Sequence, residues 1–169
     1  MTDRDQIEAA ALAHLEELDA DYEVLEIDPA LADTEAFCEH YGYRLEESAN
    51  CIIVASRGEQ PTYAACLNLA HTRLDVNKRV RKLLGVRKLS FASAEQTTDL
   101  TGMMIGGVTP FGLPEDLPLY IDVRIRELER VIVGGGSRRL KYLVDPGVFD
   151  RMEAAQWVEG LATIPDRDS

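Results

Sequence analysis

Residues 101 to 112, TGMMIGGVTPFG, set two adjacent glycines, Gly106 and Gly107, directly before Val108, Thr109 and Pro110. Glycine lets a backbone come close to another group with no Cβ in the way, and proline stiffens the chain beside it. A plain turn uses one glycine and one proline. Two glycines in succession fit either a tight connection between core elements or a backbone whose N–H groups point together at an acceptor. The second reading is chemistry: a backbone approached closely by something that its N–H groups hold. Other reactive patterns are sparse. His14, His40 and His71 are far apart and form no HExxH pair, and no serine lies in GxSxG. GGGSRR, beginning at Gly134, lacks the spacing of a phosphate loop. His14 falls on the apolar side of a helical stretch and is expected in the core. Cys38, Cys51 and Cys66 are odd in number and lack CxxC spacing. They indicate neither a disulfide framework nor a zinc site, so no metal and no cofactor are expected. Cys51 falls in an apolar run, where an inert thiol is expected.

The charge pattern narrows the partners. Eighteen Lys and Arg stand against thirty Asp and Glu, a formal net charge of −12, which argues against a protein that coats nucleic acid indiscriminately. The acidity is uneven, however. KRVRKLLGVRK holds Lys78, Arg79, Arg81, Lys82, Arg87 and Lys88 with no acidic residue among them, and Arg138, Arg139 and Lys141 come after the second glycine run. Such a cluster is either a solvated face or a surface for phosphates. No apolar run reaches the roughly 20 residues of a membrane helix. MTDRDQIEAA lacks the form of a signal peptide. Cytoplasmic residence with free thiols, away from any membrane, is expected.

The elements that must position these residues follow from periodicity and punctuation. Thr2 caps a first helix whose apolar stripe is Ile7, Ala11, Leu15 and Leu18. Tyr22 to Glu26 alternates as a strand and Asp28-Pro29 ends it. Asp33 or Thr34 starts a short helix that stops near Gly42. Cys51 to Ala55 and Tyr63 to Leu69 read as a hairpin around RGEQP. Asp75 caps a helix with Val76, Val80, Leu83 and Leu84 on one side, and Gly85 ends it. Lys88 to Ala92 is extended, Ser93 caps AEQTTDL, and Leu119 to Val123 is extended again. Val131 to Val133 and Leu140 to Val144 form a second hairpin, and Asp145-Pro146 starts a last helix. The tail, IPDRDS, is expected to fray. Strands and helices alternate irregularly with hairpins, so the class is α+β, with one domain over residues 1–169 and no repeat.

In that order, NCIIVAS, TYAACLNLA, the helix ending LLGVRKL, TGMMIGGVTPFG, LPLYID and VIVGGGSRRLKYLVDP resemble the YbaK-like family of aminoacyl-tRNA deacylases. That family includes the editing domain inserted in bacterial prolyl-tRNA synthetases. The resemblance spans roughly residues 20 to 150, and its most specific element is the Gly-x-x-x-Pro loop, Gly106 to Pro110. It implies a single compact α+β domain around a mixed, barrel-like sheet. It also implies hydrolysis of the ester joining a wrong amino acid to the 3′ end of tRNA. Gly106, Gly107 and Asn50 would then do the chemistry, with Val108, Thr109, Pro110 and His71 holding the substrate. Lys78, Arg79, Arg81, Lys82, Arg87, Lys88, Arg138 and Arg139 would hold the acceptor end of the tRNA, and a synthetase is a second possible partner. Two positions depart from the pattern. Asn50 stands where the family commonly has a lysine, and Lys141 falls on an acidic position. Either the charges are exchanged between sites, or the chain is a catalytically idle relative that binds an aminoacyl-tRNA end, a small ligand or a protein.

Overall fold

A computed structural model describes residues 3–165. Helix α1 (Asp3–Glu17) leads to β1 (Tyr22–Glu26), α2 (Thr34–Tyr41), β2 (Ala49–Ser56), β3 (Tyr63–Leu69) and β4 (Arg73–Leu74). A wide turn over Val76–Val80 runs into the one-turn α3 (Arg81–Leu84), then β5 (Leu89–Phe91) and α4 (Ala94–Thr101). The chain closes with β6 (Leu119–Asp122), β7 (Val131–Gly134), β8 (Leu140–Val144), β9 (Ala155–Val158) and β10 (Ala162–Thr163).

Local chemistry explains most boundaries. The stripe of α1 buries Ala11 and Leu15 completely, whereas Thr2, its expected cap, lies outside the described residues. Helix α2 ends at Gly42, which takes the left-handed φ of +79° that a residue with a Cβ resists. Helix α4 starts from a capping box: Ser93 Oγ accepts from Gln96 N at 3.0 Å while Gln96 Oε1 accepts from Ser93 N at 2.9 Å. Asp75 caps the segment behind it, its Oδ1 accepting from Lys78 N at 3.1 Å. That segment opens wider than the regular helix expected, with Val80 N bonding back to Asp75 O.

The large sheet has the order β5-β2-β3-β6-β9, in which β3-β6 and β6-β9 are parallel and the other pairs antiparallel. A second sheet, β1-β8-β7, is antiparallel, and β4 pairs β10. One parallel bridge, Ser48 with Ile132, ties the two main sheets together. They share a core in which Ile53, Leu67, Leu119 and Ile121 of the large sheet meet Val131, Val133, Tyr142 and Val144 of the smaller one. Helix α1 and the rings of Phe111 and Phe149 complete it. The arrangement is α+β with a mixed sheet and surrounding helices, but the sheets do not close into a barrel. The far face of the large sheet, with Val54, Ala64, Cys66 and Tyr120, is covered by Val76, Val80 and Leu161.

The end of the chain differs from the sequence reading. Asp145 does act as a cap, accepting from Gly147 N at 2.9 Å, yet the segment it opens is a short 3-10 run over Pro146–Arg151. Gly147 interrupts it, and the chain must turn outward to lay β9 beside β6. Order continues through Thr163, so the fold extends beyond residue 150. Of the tail expected to fray, Ile164 and Pro165 come after β10 outside any strand, and the last four residues lie outside the described set.

Candidate active site

Between the start of β2 and the Gly106 loop lies a cavity of about 280 Å³. Thr34, Asn50, Cys51, Gly106, Gly134 and Lys141 line it, bringing together α2, β2, the loop, β7 and β8. A second cavity of about 220 Å³ abuts it, with Ile53, Phe91, Ala92 and Thr97 in its wall. Cys51, Ile52, Ile105, Gly106 and Val108 line both. The recess therefore has a polar end at Asn50 and Lys141 and an apolar end beneath Phe91.

The polar end offers donors. Asn50 Oδ1 accepts from Thr34 Oγ1 at 2.5 Å, and Thr34 is the first residue of α2. With its oxygen so held, the Asn50 amide has its N–H₂ to give to a ligand. In the loop, Gly107 N donates to Met104 O at 2.9 Å and Thr109 N to Met103 Sδ at 3.5 Å. Among the described residues the N–H groups of Gly106 and Val108 have no partner. Both residues line the recess, so these two N–H groups, and not that of Gly107, remain for an acceptor.

The two glycines of the loop have different reasons to be glycine. Gly106 has φ +93°, and a Cβ there would run into the guanidinium of Arg138. Gly107 has its back to the second hairpin: a Cβ would lie 2.7 Å from the Ser137 carbonyl carbon, and its carbonyl accepts from Gly136 N at 2.8 Å. Gly134 is equally constrained, since a Cβ would strike Val108 O. The glycine pair and the glycine triplet are thus two sides of one close backbone contact. The tight-connection reading accounts for Gly107, and the open-backbone reading describes Gly106.

The remaining expected residues scatter. Thr109 is fully buried, its hydroxyl accepting from Phe111 N. Pro110 lines a different cavity with His14, Leu113 and Arg151. There His14 accepts from Gly112 N, and Arg151 donates to the carbonyls of Leu18 and Asp19. His71 sits in the turn after β3, outside the recess, with Nδ1 buried and unpartnered. In the basic stretch, Arg79 donates to Glu159 O and Arg81 to Asn77 O and Val86 O. Those two arginines therefore have structural duties that helical periodicity does not reveal. Lys78 and Lys82 are exposed, and Arg87 and Lys88 join Arg57 and Ser56 along an open groove of about 750 Å³. Arg139 is held by Glu8 and Asp5. Arg138 braces the mouth of the recess, bonding Asp33, Ile105 O and Pro29 O.

Lys141, which the sequence marks only as a departure from an acidic position, lines the recess. It is 5% exposed, and its ammonium lies 4.9 Å from the centre of the Phe37 ring. The signal was its place in β8: it shares a strand face with Leu143, where alternation calls for an apolar residue. The Cys51 thiol, by contrast, is pushed up to about 12 by burial. It stays protonated and neutral, a wall and not a nucleophile. Among the described residues no group of three His, Cys, Asp or Glu comes together to hold a metal ion, and no helix is long and apolar enough to cross a membrane.

Comparison with known proteins identifies the family and the fold. The aminoacyl-tRNA editing domain model matches residues 28–151. Uncharacterized protein YwhH of Bacillus subtilis (strain 168) is 30% identical over 147 residues, covering 86% of this chain and 91% of its own. A stretch of 65 residues, 38% of this chain, is 37% identical to 11% of the proline–tRNA ligase of Shouchella clausii (strain KSM-K16). The fold matches a crystal structure of a proposed trans-editing enzyme for prolyl tRNA synthetase with a TM-score of 0.76 at 22% identity, over 96% of this chain and 98% of that one. It matches hypothetical protein APE2540 with a TM-score of 0.77 at 21% identity, over 88% and 95%.

Proposed function

The chain belongs to the aminoacyl-tRNA editing domain family, and on that premise we propose that it is a free-standing hydrolase that removes a wrong amino acid from tRNA in the cytoplasm. The observation that carries this reading is the recess between Asn50 and Gly106. It is lined by two residues whose backbone N–H groups are unpartnered and by one amide whose oxygen is already engaged. An ester carbonyl seated there takes hydrogen bonds from Gly106 N and Val108 N, while Asn50 Nδ2 donates to the terminal ribose. Donors fixed on an oxygen that gains charge in the transition state contribute about 2.7–4 kcal/mol each. An aminoacyl ester is already activated, and its vicinal ribose hydroxyl helps to orient water. Positioning and carbonyl polarisation therefore suffice without a protein nucleophile.

The neighbouring apolar cavity takes the amino-acid side chain, walled by Ile53, Ala92 and Thr97. The mouth suits an unpaired 3′ end. Phe91 and Ile105, which line it, are large apolar side chains more than half exposed, and bases stack on such surfaces. The open groove at Arg57, Arg87 and Lys88 lies at the other end of β2 from Asn50, about 20 Å away at roughly 3.3 Å per residue. That is the reach of an acceptor stem leading away from its terminal nucleotide, so this groove takes stem phosphates.

The test is single-turnover deacylation across a panel of correctly and wrongly charged tRNAs. The expected result is rapid release from one small set of mischarged species, with correctly charged tRNA spared. Tight binding of aminoacyl-tRNA with no turnover of any species would make the chain an idle relative instead.

A further inference from the structure

Lys141 carries an inference that rests on the deacylase reading above. Its neighbours in register are Gly134 on β7 and Leu25 on β1, so it sits mid-sheet in the smaller sheet. A buried ammonium is unfavourable unless a carboxylate accompanies it. Among the described residues no carboxylate lies within ion-pairing distance of Lys141, and Asp33, the acid facing it, is paired with Arg138 at 3.2 Å. The Phe37 ring on its flank compensates only in part. A cation held at such a cost to stability, in the wall of a cavity beside three unengaged hydrogen-bond donors, marks a site for negative charge on a ligand.

We propose that Lys141 is a catalytic residue whose ammonium donates a hydrogen bond to the aminoacyl carbonyl oxygen and holds that oxygen as it becomes the oxyanion. Water adds its oxygen to the acyl carbon, and the carbonyl electron pair moves onto the oxygen facing Lys141. The pair then returns, the bond from acyl carbon to ribose oxygen breaks, and the ribose oxygen leaves with a proton from the water. The products are the amino-acid carboxylate and a free tRNA hydroxyl, with the second water proton released to solvent. Lys141 keeps its own proton throughout. Its burial assigns it to the ester and not to the terminal phosphate: Lys141 is 5% exposed, and a phosphate keeps its water.

Ionisation supports the geometry. Burial holds Lys141 below the ordinary lysine value. Asp33 at the N-cap of α2 raises it in part, and Arg138 of the hairpin lowers it further. Burial also pushes the Cys38 thiol up, which keeps it neutral at physiological pH. Deacylation should therefore decline on the alkaline side, as Lys141 loses its proton earlier than an exposed lysine does.

The experiment compares wild type, Lys141→Met and Lys141→Arg on mischarged tRNA and on a small aminoacyl ester that lacks phosphate, with melting temperatures for each. Lys141→Met should lower kcat about a hundredfold on both substrates, leave KM within about threefold and melt no lower than wild type. Lys141→Arg should recover part of the rate and move the alkaline decline to higher pH, because guanidinium keeps its proton. Undiminished kcat in Lys141→Met, with the wild type active, overturns the proposal and leaves the deacylase reading intact. A rise in KM confined to tRNA overturns it in favour of a phosphate anchor. Rate loss matched by a lower melting temperature and not recovered by arginine overturns it in favour of a structural role. A wild type that turns over neither substrate removes the deacylase reading and this inference with it.

Discussion

Gly106 and Gly107 are neighbours whose replacement by alanine should fail in different ways. At Gly106 the backbone φ is +93°, and an alanine held in left-handed geometry costs about 1–2 kcal/mol. The new methyl meets side-chain ends, the guanidinium of Arg138 and Oδ1 of Asp33, which can swing aside where backbone cannot. Displacing the exposed bonds of Arg138 to Asp33, Ile105 O and Pro29 O adds about 1 kcal/mol. The total is about 2 kcal/mol, which in a domain of this length lowers Tm by roughly 4–8 °C. Turnover suffers more, because a relaxed φ at residue 106 swings the N–H groups of Gly106 and Val108 off the carbonyl, a loss of about a hundredfold. At Gly107 the methyl meets backbone, 2.7 Å from the Ser137 carbonyl carbon and 2.9 Å from its oxygen, so the loop and hairpin must separate. Overpacking of that kind costs about 1–3 kcal/mol, and the Gly136 N to Gly107 O bond adds about 1 kcal/mol more. The expected fall in Tm is roughly 6–12 °C. Thermal melts paired with single-turnover deacylation well below either transition measure both effects. A folded Gly106→Ala with wild-type turnover would refute the carbonyl-binding loop. A Gly106→Ala variant that melts well below Gly107→Ala, with the smaller loss of turnover, would refute the division of labour between them.

Asn50→Ala should lower kcat up to about tenfold, the range of one hydrogen bond, and Thr34→Val should reproduce part of that loss by freeing the amide to turn. Asn50→Lys should also slow deacylation, since it sets a second cation in the cavity that holds Lys141; faster turnover in that variant would show that the polar end is short of charge. For the basic groove, Arg87→Gln with Lys88→Gln should reduce the log–log salt slope of tRNA binding by up to about 2, equally for every tRNA, while hydrolysis of a small aminoacyl ester stays unchanged. Filter binding at several salt concentrations decides it, and an unaltered slope returns those residues to a solvated face.

What could be read from the chain, and what could not, divides by the range of the interaction. Elements whose ends are set by neighbours in sequence were legible. Ser93 and Gln96 cap α4, Gly42 and Gly85 stop their helices in left-handed geometry, and the hairpins at RGEQP and GGGSRR pair as their alternation requires. Elements that exist only because something distant receives them were not. AQWV becomes β9 because β6 lies open beside it, in a parallel pairing of residues some thirty-six positions apart, and no local turn announces it. The same boundary runs through the site. Asn50 and Gly106 stand out as types, a polar residue opening an apolar strand and a glycine before a stiff tripeptide. Lys141 stands out only against its strand, and its meaning depends on Phe37, Asp33 and Asn50 arriving from other elements. The basic stretch shows the converse. Composition groups six cations together, but Arg79 is tied to the distant Glu159 carbonyl and Arg81 to nearby carbonyls, while Arg87 and Lys88 face a groove. Net charge therefore misleads about this molecule in both directions. The acidic whole conceals one buried cation in the recess, and the basic cluster contains arginines whose donors are occupied. Catalysis, on this reading, depends less on how many charges the chain has than on where the fold buries one.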